Sequence, residues 1–494
     1  MRTRLAAVLA AALTMAAAAP AGAQTVVNGN TVGPDYVTSP NVEYIGSLKA
    51  DIGQTTGARI IGKKLYVTSA KDIGIYDISD PEHPSPIGNY KINLAWENEE
   101  VPTDGKILGT SSDFFAVGST CIVSTGCQQL FDVRDPTNIK ELPGLPNNGD
   151  HTAECVHVVG DCDYLFGNTG NIADLHGVLD GATPKDIGNW HDLIKAQLAA
   201  RGFPDGVKSC HHIREIRPGF LFAACQPYVF FRITPENGDN ASVAHPVVEV
   251  VGSNADGRFV HSARWPNQGT DKFALVGGEA NFAVKRHPGV QCDGGQKGPT
   301  TVLGPVDSAF TVVEAPNAEH PGKFSAPLDE YRPQNGTYVD GNTPTEIAGC
   351  SVHWYQEHQT FRNGGLVALA SYDNGIRFLQ VASNGKITEQ GFFQPLGFET
   401  SSPKWVPGTD IVYSIDYARG IDILKWNGLH YIPVGNSGKI KKEPGRIKGT
   451  NGRQPILPAL TVKQKAFATR EVSLLHAQGW FQGYCQLAAS HSND

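Results

Sequence analysis

Apolar residues along this chain come in short runs, alternating or nearly continuous, and each run stops at Gly, Asp, Asn or Pro. The stretch from Thr56 shows the unit: TGARIIGKKLYVTSAKDIGIYDISDPEHPSPIGNY. It parses into a strand at 58–61, a Gly-Lys turn, a second strand at 65–68, a third at 74–78, an Asp-Pro turn and a fourth strand ending at Tyr90. β-Branched and aromatic runs bounded by such residues are strand and hairpin signals.

The unit repeats. Its third-strand phrase, IYDISDP, returns as LFDVRDP from Leu130 and, more loosely, as FFRITPE from Phe230, FTVVEAP from Phe310, RFLQVAS from Arg377 and IDILKWN from Ile421. The fourth-strand phrase, SPIGNY, has relatives in VEVVGS from Val248 and TEQGFF from Thr388. The segment after His151 supplies a seventh copy, with a diverged third strand near Ile172. Self-similarity at this spacing predicts an all-β fold, a seven-bladed β-propeller with four strands per blade. The chain ends predict how the ring closes. NVEYIGSLK from Asn41 reads as a fourth strand with no three before it, and no good fourth strand follows the third strand at 421–424. Pairing the two completes blade seven and removes the open sheet edges. Loop insertions fall in blade three, where 189–202 has the apolar spacing of a short helix, and in blade five, a Gly- and Pro-rich stretch over roughly 279–349. The propeller thus spans 24–428. Residues 429–494 form a tail that packs on it or extends from it, with a basic stretch, KIKKEPGRIK, read as a solvated loop.

Residues 1–23 have a basic start, an Ala/Leu run and AGA before Gln24, the pattern of a secretory signal peptide. The expected location is therefore secreted or periplasmic. No later apolar run approaches the roughly 20 residues needed to cross a bilayer. Without Arg2 and Arg4 the chain keeps 39 basic against 49 acidic residues, a net charge of −10 that argues against nucleic-acid binding. Nine cysteines in an exported chain point to disulfides. Proximity pairs Cys121 with Cys127, Cys155 with Cys162 and Cys210 with Cys225, and leaves Cys292, Cys350 and Cys485 competing for one bond.

The strand phrases resemble the LVIVD repeat: an aromatic-ended second strand (KLYV), a third strand closing on SDP or RDP, and a Pro-x-hydrophobic-Gly fourth strand. CSVHW, LVALASYDNGIRFLQV and DIVYSIDYARGIDIL resemble the C-terminal blades of exported actinobacterial LVIVD proteins. The resemblance is strong in blades one, two, six and seven. It implies a secreted β-propeller and no particular reaction.

Each blade opens on a related phrase: TGARI, HTAEC, HHIRE, HSARW, SSPKW. First strands line a propeller's channel, so superposing the copies predicts two rings. One holds Thr56, Trp96, His151, His211, His261, Cys350 and Ser401. The other, three residues on, holds Arg59, Glu99, Glu154, Arg214, Arg264, His353 and Lys404. Imidazoles from three consecutive blades, His151, His211 and His261, with His353 a possible fourth, could hold a divalent transition metal (Zn, Cu, Fe or Mn). His212 could replace His211 if the register slips by one. Glu99 and Glu154 could orient the imidazoles or do acid/base work, Arg214, Arg264 and Arg59 could hold an anionic group bidentately, and Glu154, Glu99 and Arg264 are the candidate catalytic residues. The competing reading is a channel filled by hydrogen bonds and Arg–Glu pairs. His157, His191, His245, His287, His320 and His358 fall outside the rings and read as surface or loop residues.

No Walker loop, G-x-S-x-G, HExxH or C-x-x-C is present. Two function classes follow. One is a monomeric extracellular binding module for a protein, glycan or small molecule. The other is a metal-dependent oxidase, oxygenase or lyase that uses the channel histidines.

Overall fold

The computed structural model describes residues 25–27, 30–48, 55–69, 72–92, 99–112, 127–146, 149–234, 246–254, 260–279, 309–317, 322–331, 337–338, 352–372, 374–396, 400–417, 419–428, 456–457, 462–463 and 466. Seven sheets follow one another around an axis, as the repeat predicts. Blade one is Thr55–Ile61, Lys64–Ser69, Asp72–Asp77 and Ser85–Lys91, in simple up-and-down order. Blades three to six keep that order, beginning with Ala153–Val156, Lys208–Arg217, Ser262–Arg264 and Tyr355–Glu357. Blade seven is Thr400–Trp405, Ile411–Asp416, Gly420–Trp426 and then Val42–Leu48, so the N-terminal strand closes the ring.

Blade two departs from the pattern. Among the described residues its sheet holds three strands, Ile107–Ser112, Cys127–Asp132 and Lys140–Pro146. Where its innermost strand should run, residues 99–102 are irregular, and Thr103 makes a single bridge to Leu108. Blade six is extended at its outer edge by Tyr36–Thr38, Asn30–Val32 and Thr25–Val27.

The glycine of the fourth-strand phrase has a structural cause. Pairing between third and fourth strands slips by one residue just after Ile75↔Gly88, Phe230↔Gly252, Phe378↔Gly391 and Ile423↔Gly46. These are β-bulges, which sharpen twist at an outer strand. A side chain on Gly88 would meet the Pro136 carbonyl oxygen of the next blade at 2.1 Å. The N-terminal strand carries the same bulge, which marks it as a displaced fourth strand.

Apolar faces of neighbouring blades form the core. Ala58, Leu65 and Val67 of blade one pack with Tyr413, Ile415, Ile421 and Ile423 of blade seven. Between blades three and four lies the helix Trp190–Ala199, capped by the Asn189 side chain accepting from the His191 amide. Its buried Trp190, Ile194 and Leu198, four residues apart, join the core of those blades. Blade five's own third and fourth strands, Phe310–Glu314 and Asp329–Tyr331, lie inside the range read as one insertion, which they divide. Ile456–Leu457 pairs in parallel with Thr337–Tyr338.

Disulfides join Cys155 to Cys162 and Cys210 to Cys225. Cys121, Cys292, Cys350 and Cys485 lie outside the described residues, as do residues 1–24, the stretch read as a signal peptide among them, and most of 429–494. No helix among the described residues is long and apolar enough to cross a membrane.

Two histidines read as surface residues are held inside. His358 is 5% exposed, with Nδ1 on the Thr360 hydroxyl at 2.8 Å and Nε2 on the Thr409 carbonyl at 3.2 Å. His157 ties blade three to blade four, its Nδ1 lying 2.5 Å from Glu215 Oε2. Burial opposes the charge on His157, but the Glu215 carboxylate outweighs it and raises the pKa above the ordinary value. A raised histidine pKa stabilises the fold most fully below its unfolded value of about 6.5, and that contribution is lost as pH rises through the folded value. Thermal melting should therefore occur at lower temperature as pH climbs above neutrality, and His157→Gln should flatten this part of the profile.

Candidate functional site

A ladder of side chains fixes the level of each first strand. Thr152 Oγ1 donates to the His211 carbonyl, and His211 Nδ1 donates to the His261 carbonyl at 3.1 Å. Ser262 Oγ donates to the His353 carbonyl at 3.3 Å, and His353 Nδ1 to the Ser401 carbonyl at 2.8 Å. Ser401 Oγ closes on the Thr56 carbonyl at 3.3 Å. His211, His261 and His353 therefore share one level with Thr56 and Ser401. Their rings follow in sequence, with centroids 3.6 Å apart from His211 to His261 and 4.6 Å from His261 to His353. The His151 ring lies 4.8 Å from that of His211.

This corrects the expected register in blade six. The residues equivalent to HSAR are His353, Trp354, Tyr355 and Gln356, so His353 belongs to the imidazole ring rather than three residues beyond it. Cys350 lies outside the described residues.

Blade two is displaced as well. Residues 99–102 are irregular and turn Glu99 to the imidazole level, where it is fully buried. Its Oε1 lies 2.9 Å from His353 Nε2 and accepts from the Tyr417 hydroxyl at 2.7 Å. Its Oε2 accepts from the Trp354 indole at 3.0 Å and lies 3.7 Å from the Nε2 atoms of both His211 and His261. A second carboxylate faces the same space. Glu279 Oε2 is 3.7 Å from His261 Nε2, while Oε1 accepts from the Tyr372 hydroxyl. Two triads of potential ligand atoms result, Glu99–His211–His261 and His261–Glu279–His353, each spanning no more than 4.8 Å.

The outer hydrogen bonds set the chemistry. With Nδ1 of His211 and His353 donating to backbone carbonyls, the other ring nitrogen of each points its Nε2 toward the axis, the orientation that metal-binding imidazoles adopt. Burial and the neighbouring imidazoles hold His211 and His261 well below the ordinary histidine pKa. His353 is raised: burial opposes its charge, but the Glu99 carboxylate prevails. Glu99 is held well below the usual carboxylate range by His353, His211 and His261, in spite of burial. Burial pushes Glu279 up to about 7, with His353 pulling down and Glu99 adding to the rise.

Three residues along the first strands, roughly 10 Å by strand rise, lies a charged level. Arg59 forks onto Glu154 with bonds of 2.7 and 3.1 Å, and Arg264 Nε donates to Glu357 at 2.5 Å. Glu100 accepts from Lys404 through Oε1 and from Arg214 through Oε2 at 3.3 Å. Two of the three predicted acid/base residues, Glu154 and Arg264, belong to this level, in ion pairs. Glu99 alone of the three joins the imidazoles. His212 is buried beside Trp354, ring centroids 4.4 Å apart and planes perpendicular.

The site residues missed by sequence reasoning share a signal. Glu279, Tyr372 and Tyr417 sit one or two positions past the second strands Phe273–Gly277, Gly365–Ala370 and Ile411–Asp416. A column drawn through the ends of the second strands would have found all three.

No family model matches the chain, and no curated protein matches it. Among solved structures the chain is similar to the β-propeller domain of Myceliophteria thermophila Cps50 (Swd1), at 12% identity, covering 78% of this chain and 100% of that one, with a TM-score of 0.44.

Proposed function

We propose that this protein is an exported β-propeller of the LVIVD type, a binding module that carries one divalent transition metal in its channel. The ligands are Nε2 of His211, His261 and His353 together with carboxylate oxygen from Glu99 or Glu279. One observation carries the reading: buried imidazoles of three blades and two carboxylates converge on one space, in two triads sharing His261. Such a nitrogen and oxygen set suits Zn, Fe, Mn or Cu. When bound, the metal supplies a Lewis-acidic centre. The protein supplies orientation through the Ser401 and His261 carbonyls, and Tyr417, Trp354 and Tyr372 fix the carboxylates.

A metal-dependent enzyme is the second reading. It is favoured by the ligand set: three imidazoles and a carboxylate would leave a position open on a five- or six-coordinate iron or manganese, whereas they would close a tetrahedral zinc.

The test is elemental analysis of untagged protein purified from periplasm or medium, where the chain should begin at Gln24. Roughly one metal ion per chain is expected, falling to background in His261→Ala. His261→Gln, checked for folding by circular dichroism, serves if the alanine variant does not accumulate. Absence of metal as isolated, and no uptake of zinc, copper, iron or manganese by dialysis, would overturn the reading.

A further inference from the structure

We infer that the charged level beside the imidazoles is a receptor for the carboxylate of a small organic acid, anchored by Arg214 and His212. The inference deepens the reading of the channel as a ligand site by naming the ligand's class, and it does not require that a metal be present.

The argument begins with an imbalance. Among the described residues four cations meet at this level, Arg59, Arg214, Arg264 and Lys404, and three carboxylates face them. Glu154 is occupied by Arg59, Glu357 by Arg264, and Glu100 receives the Lys404 ammonium on one oxygen. Glu215, another acid nearby, is committed to His157. Among the described residues Arg214 is left with one ion-pair contact, 3.3 Å from Nη1 to the oxygen of Glu100 that Lys404 does not use. Burial and the charges of Arg264 and Arg59 depress its pKa, in keeping with a cation short of counter-charge. One further negative charge balances the level. A carboxylate fits the guanidinium fork, which donates two parallel hydrogen bonds.

The second observation is independent of charge. His212 is 1% exposed, and neither ring nitrogen has a hydrogen-bond partner among the described residues. Buried polar groups are nearly always satisfied, so one left open calls for an explanation. It stands near Glu100, Arg214, Arg264 and Lys404, whose charges it feels. A ligand oxygen held by Arg214 gives His212 a partner.

Access agrees. The side chains of Arg214, Arg59 and Arg264 are 18%, 14% and 14% exposed, whereas those of His211, His261 and His353 are at 0%. A ligand arriving from the solvent side meets the arginines first. Trp354, whose indole nitrogen is engaged by Glu99, is buried against the His212 ring and holds it in place beside Arg214. A short aliphatic or aromatic acid would set its head on Arg214 within reach of His212.

Titration calorimetry of the full exported protein with benzoate, butyrate and inorganic phosphate tests this, on protein as isolated and after stripping with EDTA. Saturable binding of benzoate or butyrate is expected in both preparations, weakened about tenfold or more by Arg214→Gln and also weakened by His212→Phe, with metal content unchanged by Arg214→Gln. Arg214→Lys, which keeps the charge and loses the fork, should fall between, and it decides the matter if the glutamine variant does not fold. The proposal is overturned if neither carboxylate binds the wild type, if Arg214→Gln and Arg214→Lys both leave affinity within twofold, or if phosphate is preferred. It is also overturned if binding disappears on stripping but survives Arg214→Gln, because the anion would then sit on the metal. Arginine-dependent binding in a protein that holds no metal would support this proposal while removing the metal reading.

Discussion

Truncation through Leu48 is expected to abolish the folded monomer. Val42–Leu48 supplies the whole fourth strand of blade seven, paired from Val42↔Trp426 to Leu48↔Ile421. Its side chains sit in two interblade cores: Ile45 and Leu48 against the blade one and seven cluster, Val42 and Tyr44 against the blade six and seven cluster. Fully burying a large apolar side chain contributes about 1.5–3 kcal/mol; with Val42 buried and Tyr44, Ile45 and Leu48 half-buried, their loss together with the strand's hydrogen bonds is large against the net stability of a domain, about 5–15 kcal/mol. Loss of the strand also leaves the Gly420–Trp426 edge unpaired and open to association between chains. A second truncation beginning at Asn41 separates the two roles of the N-terminal segment, since it removes only the strands added to blade six. That shorter truncation should still give a monomer with a cooperative melt, while the longer one should elute as aggregate or fail to accumulate. A cooperative monomer from the longer truncation, melting within a few degrees of the full chain, would show that ring closure is not needed.

Arg377→Met should be the most damaging single substitution away from the channel. Arg377 is fully buried, 3.1 Å from Glu389 Oε1 and 3.3 Å from Gln394 Oε1. Glu389 also accepts from Tyr331 at 2.9 Å. Burial already holds the Glu389 pKa above the usual range against the pull of Arg377. Removing one partner of a buried pair typically costs about 3–5 kcal/mol, because the remaining charge stays desolvated. Adding Glu389→Gln should restore most of that loss, since the glutamine keeps an acceptor for Tyr331 and carries no charge. Denaturant unfolding of the two single variants and the double variant measures the coupling. Additive losses would mean that the pair is not energetically linked.

The repeat, the closing strand and the helix over Trp190–Ala199 were legible because each rests on a local rule: turn residues at fixed offsets, alternation, and apolar spacing of four. His211 and His261 were legible for the same reason, as leading letters of a repeated phrase. The level of His353 was not. Aligning CSVHW on HSARW by its terminal tryptophan is sound letter by letter, but the backbone ladder that runs through Ser262 and Ser401 sets the level instead. Glu99 was named from its column but at the wrong level, because residues 99–102 form no regular strand and a strand alignment cannot place them. Glu279 was missed because only the first strands were aligned, whereas it sits two positions past the end of a second strand.

The turn of Glu99 to the imidazole level has a further consequence. Seven like blades would give a tunnel with nearly equivalent walls, and a small guest could sit at any of seven azimuths. Blade two instead sets the Glu99 carboxylate among the imidazoles of blades four, five and six, and the Glu100 carboxylate between Arg214 and Lys404. The walls are thereby unlike one another, and whatever enters can settle in a single rotational pose.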